Sequence, residues 1–72
     1  MKLNDELRKR LEYFRGIGGS VNFSREPHAQ YGNFFYASAE LGEEIEFGMG
    51  AALDEAVAEA LDKLKDATKR DI

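Results

Sequence analysis

Residues 33–48 read NFFYASAELGEEIEFG, and the fold is decided by how this stretch alternates. From Asn33 to Leu41 the side chains separate by parity. Phe35, Ala37, Ala39 and Leu41 fall on one side, and Phe34, Tyr36, Ser38 and Glu40 on the other, as in a strand. Gly42 with Glu43 makes a tight connection, and Glu44 to Gly48 alternates again, Ile45 and Phe47 against Glu44 and Glu46. Upstream, Val21 and Phe23 alternate with Asn22 and Ser24. A turn-like stretch then runs from Glu26 through Pro27, His28, Ala29, Gln30 and Tyr31 to Gly32. Three such segments joined in order predict an antiparallel meander.

Amphipathic helices flank it. Asn4 is placed to cap the first, Asp5 and Glu6 suit its positive end, and Leu3, Leu7, Leu11 and Phe14 recur at helical spacing. Gly16, Gly18 and Gly19 end it. The second carries Leu53, Ala56, Val57, Ala60, Leu61 and Leu64 in one stripe, with Asp54 and Glu55 in its first turn and Lys63, Lys65 and Lys69 toward its end. The expected fold is α+β, a single domain over residues 1–72 in the order α-β-β-β-α. Both helices are expected on one face of a three-stranded sheet, with residues 68–72 frayed. Ala37 and Ala39 would let helices come close. With Ile45 and Phe47 turned inward as well, Glu44 and Glu46 would join Phe34 and Tyr36 on the uncovered face.

A chain of 72 residues has room for one small core and none for a deep interdomain cleft. It contains no cysteine, so a disulfide framework, a thiolate metal site and a thiol nucleophile are all excluded, and a reducing cytoplasm is the expected setting. No apolar run approaches a membrane span, and Met1, Lys2 and Leu3 lead into polar sequence rather than a signal peptide. The net charge of −4 is unevenly spread. Residues 1–25 carry +3, residues 63–72 carry +2, and residues 26–62 hold nine acids with no lysine or arginine. Such a block gives a field of one sign, suited to partners with a basic surface.

The order of elements resembles the double-stranded-RNA-binding domain. The likeness is carried by Leu3-Asn4, by Pro27-His28 after the first strand, and by the aromatic-rich second strand. It is carried also by Gly48-Met49-Gly50 leading into a helix with Glu55-Ala56 and Ala60-Leu61. That resemblance implies RNA contacts through the first helix and the histidine loop, and phosphate contacts from lysines opening the second helix. Here the lysine positions correspond to Leu53, Asp54 and Val57. Without those cations the phosphate-binding mode loses its main source of affinity. The junction of glycines with Leu53-Asp54-Glu55-Ala56-Val57 is similar also to HicB-like antitoxins and to small phage proteins.

No catalytic constellation emerges. His28 is the single histidine, and Glu26 and Ser24 are its neighbours only in sequence. Glu43, Glu44 and Glu46 lack the further oxygens a calcium or magnesium site needs, and Gly48-Met49-Gly50 lacks the lysine of a phosphate loop. No cofactor or metal is expected. The leading expectation is a small acidic, non-enzymatic interaction protein that docks on a basic, nucleic-acid-binding protein. Phage-encoded inhibitors of the anti-CRISPR type work in this way. Its candidate contacts are Phe34, Tyr36, Glu40, Glu44 and Glu46 on the sheet, with Asp54, Glu55 and Glu59 on the second helix. The alternatives are weak nucleic-acid binding through Arg8, Lys9, Arg10, Arg15 and His28, and self-association as a homodimer through the aromatic sheet face.

Overall fold

The computed structural model describes residues 4–30 and 32–72. Leu3 of the predicted helical stripe and Tyr31 of the predicted turn lie outside the described residues. The elements run α1 (Asp5–Gly16), β1 (Ser20–His28), β2 (Gly32–Leu41), β3 (Glu44–Gly50) and α2 (Leu53–Thr68). The strands form one antiparallel sheet in the order β1-β2-β3. This is the α-β-β-β-α order expected from the sequence.

Local chemistry sets the ends of these elements. Asn4 caps α1, its side-chain oxygen accepting the Leu7 N–H at 2.8 Å. Leu7, Leu11 and Phe14 are the buried stripe of that helix. The β2–β3 connection is the two-residue turn Gly42-Glu43. Gly42 takes φ +64° while Glu43 stays at negative φ, the pattern of a type II′ hairpin whose first position demands glycine. α2 ends in a left-handed Lys69, whose N–H reaches back to the Lys65 carbonyl at 2.9 Å.

One core joins the elements. Phe35, Ala37, Ala39 and Leu41 of β2 cluster with Leu7, Leu11 and Phe14 of α1 and with Leu53, Ala56, Val57, Ala60, Leu61 and Leu64 of α2. Phe14, Leu61, Leu64 and Val57 are fully enclosed, each stabilising the fold by about 1.5–3 kcal/mol. α2 lies against β2 and β3. The approach is close because Gly48 and Gly50 sit beneath it. A Cβ at Gly48 would lie 2.2 Å from the Ala56 carbonyl oxygen and 2.5 Å from the Ala60 nitrogen. One at Gly50 would lie 2.8 Å from the Glu55 Cβ.

Three expectations need correction. β1 does not stop at Ser24 but continues through Glu26 and Pro27 to His28, pairing with Phe34, Asn33 and Gly32. Proline is tolerated there because β1 is an edge strand, where a missing N–H removes no ladder bond on the free side. β3 faces the opposite way from the expected one. Glu44, Glu46, Gly48 and Gly50 register with Leu41, Ala39, Ala37 and Phe35, while Ile45, Phe47 and Met49 turn to the other side and are exposed. The cause is steric, since a Cβ at position 48 would run into the α2 backbone and one at position 50 into the Glu55 side chain. Finally, the helix ends at Thr68, yet the last residues do not hang free. Ile72 is buried in the core, and the Arg10 Nε donates to its main-chain oxygen at 2.8 Å.

Gly48→Ala is therefore expected to destabilise the protein by about 3 kcal/mol through overpacking. Thermal unfolding monitored by circular dichroism should show a fall of roughly 12 °C or more. Gly16→Ala has open space around it and no positive φ, so it is expected to raise stability by about 0.5 kcal/mol in the same measurement.

Candidate functional site

The reversal of β3 builds a surface that neither parity nor composition displays. Cross-strand partners in an antiparallel sheet share a face. Tyr36 stands between Ser24 of β1 and Met49 of β3, Ser38 between Asn22 and Phe47, and Glu40 between Ser20 and Ile45. Phe34 opposes Glu26. The face away from the core thus carries Phe34, Tyr36, Ile45, Phe47 and Met49 together. Phe47 is 60% exposed, Met49 53% and Ile45 43%. Single exposed apolar residues are ordinary on a protein surface; these three beside half-buried Phe34 and Tyr36 form a patch.

The aromatic part is ordered along β2. The His28 and Phe34 rings lie 5.4 Å apart, tilted, and Phe34 meets Tyr36 edge-on at 5.6 Å. A shallow groove of about 250 Å³ on this face is lined by Asn22, Ser24, Tyr36, Ser38 and Phe47 among others. Charge on this face is of one sign: Glu26 and Glu40 stand on it, and no lysine or arginine does among the described residues. Arg25 falls on the opposite face, in register with Phe35.

The candidate contacts divide between two surfaces. Phe34, Tyr36 and Glu40 belong to the outer face; Glu44 and Glu46 share the face of Leu41 and Ala39, on the side of α2. On the helix, Asp54 accepts the Glu55 N–H at 2.9 Å. Glu55 packs over Gly50. Glu59 is engaged twice, accepting the Met49 N–H at 3.4 Å and pairing with Lys63 at 3.4 Å. Glu59 and Glu55 accordingly help to hold the helix on β3, while Asp54 serves the first turn of the helix. Hydrophobic alternation alone does not single out Ile45, Phe47 and Met49 as site residues. The signal that finds them is the alternation of Gly48 and Gly50 with Phe47 and Met49, because glycine marks which parity faces a helix.

The cations expected to meet nucleic acid are partly engaged as well. Arg8 pairs with Asp5, and Arg10 pairs with Asp62 at 2.7 Å besides holding Ile72. Lys9 and Arg15 are exposed, whereas His28 packs on Phe34 of the sheet. Among the described residues no group of three or more histidine, cysteine, aspartate or glutamate side chains could hold a metal ion. Among them, too, no helix is long and apolar enough to cross a membrane. No family model matches the chain, and neither curated proteins nor solved structures yield a match.

Phe47→Ser, on the exposed face, is expected to change unfolding free energy by no more than about 0.5 kcal/mol. Leu61→Ala, on the buried face of α2, is expected to cost about 2–5 kcal/mol. Urea titrations of the two variants check the face assignment, and a Phe47→Ser cost comparable to that of Leu61→Ala would contradict it.

Proposed function

We propose that this protein is a non-enzymatic binding module that docks through the outer sheet face on a basic, nucleic-acid-binding protein. The observation that carries the reading is the cluster of exposed Ile45, Phe47 and Met49 with half-buried Phe34 and Tyr36, bordered by Glu26 and Glu40 and, among the described residues, free of lysine and arginine. Buried aromatic and Met anchors supply most of the binding energy at protein interfaces, and rim charges select the partner and speed encounter. The complement of this face is apolar and cationic at once. Surfaces that bind nucleic acid have that chemistry, with arginine and lysine for phosphates and aromatic or apolar side chains for bases. Occupying such a surface would block it, as the small inhibitors of the anti-CRISPR type do.

Acidity over residues 26–62 extends the attraction beyond the contact itself. The α2 acids add to the field, while their own contacts are internal to the fold. Direct RNA binding is the weaker reading, since Arg8 and Arg10 are already committed to carboxylates.

Affinity capture from native cells with the wild-type protein, Phe47→Asp, Glu40→Lys and Glu55→Lys tests the proposal. A basic protein is expected to co-purify with wild type and Glu55→Lys and to be lost from Phe47→Asp and Glu40→Lys. Capture that depends on Glu55 rather than on the sheet face would contradict it. So would a gel shift of duplex RNA by the purified protein at about 50 mM salt, where non-specific binders already associate.

A further inference from the structure

The sheet has two edges, β1 and β3, and they are built differently. Along β3 stand Glu44 and Glu46, with Glu43 in the adjoining turn, and α2 lies against the strand. The Met49 N–H on this edge is already taken by Glu59. Charged side chains and a covering element are the devices by which proteins close an edge to further strands.

The first five residues of β1, Ser20 to Ser24, carry no charge and no proline, and Arg25, Glu26 and Pro27 stand only toward its far end. The strand runs for nine residues, all of them exposed or half-exposed, and among the described residues β2 is the only element packed extensively against it. Phe23 pairs with Ala37 and so stands on the core side of the sheet, yet it is 62% exposed because α2 covers only β2 and β3. A groove of about 330 Å³ opens beside it toward Leu53. Arg25 and Glu26 cancel, so the strand carries no net charge where the acidic block begins.

We propose that β1 pairs antiparallel with β1 of a second copy of this chain, joining two sheets into one of six strands about a two-fold axis. Charge permits this pairing, and the self-complementary strand sequence selects a second copy as the occupant. Two copies carrying −4 each repel where their residues 26–62 face one another, whereas β1 set against β1 brings together two strips of no net charge. A cationic partner, conversely, gains nothing electrostatic from a neutral strand. The strand is also self-complementary. With Phe23 opposite Phe23 of the second copy, Val21 falls opposite Arg25, Asn22 opposite Ser24, and Ser20 opposite Glu26. No like charges oppose each other, and an aromatic pair forms at the centre where each copy alone leaves a ring in water. Pro27 lies beyond the paired segment. Edge pairing with the core sides in register leaves both outer faces on the same side, as one continuous surface. The proposal does not rest on that surface having a partner.

Sedimentation equilibrium from micromolar to millimolar concentration reads the assembly directly. The mass is expected to rise from 8.1 kDa toward twice that value in the wild type. Phe23→Lys is expected to stay at the monomer mass throughout, with an unchanged circular dichroism spectrum. Because the chain has no cysteine, Phe23→Cys and Phe47→Cys each introduce a single thiol. Mild oxidation is expected to cross-link Phe23→Cys into a dimer and to leave Phe47→Cys uncross-linked. A wild type that remains monomeric, a dimer indifferent to Phe23→Lys, or cross-linking through Phe47→Cys in place of Phe23→Cys would each overturn the proposal.

Discussion

The close approach of α2 to β3 governs the rest of the molecule. Helix and strand backbones meet where Gly48 and Gly50 leave no Cβ between them, a Cβ at Gly48 falling 2.2 Å from a helix carbonyl. Small residues continue the contact, with Ala37 and Ala39 on β2 and Ala56 and Ala60 on α2 all buried. Side-chain parity is strict along a strand, so committing positions 48 and 50 to the helix commits Ile45, Phe47 and Met49 to the other face. The large apolar residues of β3 are outside because the smallest ones had to be inside.

This trade of volume has an energetic logic. Burying Phe47 and Met49 would favour the isolated fold by several kcal/mol on area alone. The structure instead packs Leu61, Leu64, Val57 and Phe14 into a tight centre and leaves the β3 side chains in water. A small chain that forgoes part of its burial has a narrow stability margin. The proposed docking on another molecule would recover part of that burial, and the Glu26 and Glu40 carboxylates would give the contact a sign.

Much of the fold is legible in the sequence. The helical stripes, the Asn4 cap and the alternation in β2 each reflect one local rule, and the structure reproduces them. What escapes depends on tertiary context. The period of Glu44–Gly48 is clear, but its phase is not, because hydrophobicity alone points Ile45 and Phe47 inward. The glycines at 48 and 50 carry the deciding information, and they act through a helix that only the folded chain brings near. Pro27 and the turn-forming residues around it likewise hide the second half of β1, which survives because it is an edge. Ile72 lies beyond a helix end that reads as fraying, yet Arg10, 62 positions earlier, holds it to the core. The candidate site is half legible: Phe34, Tyr36 and Glu40 lie on the surface, while Glu44 and Glu46 belong to the opposite face.

The phase of β3 is therefore the point on which the reading of this protein turns, and solvent paramagnetic relaxation enhancement measures it at single side chains. With a soluble neutral relaxation agent, the methyl groups of Ile45 and Met49 in the free protein should broaden strongly, while those of Leu61 and Leu64 stay sharp. Protection of Ile45 and Met49 equal to that of Leu61 would place them inward, reverse the face assignment and remove the proposed docking surface.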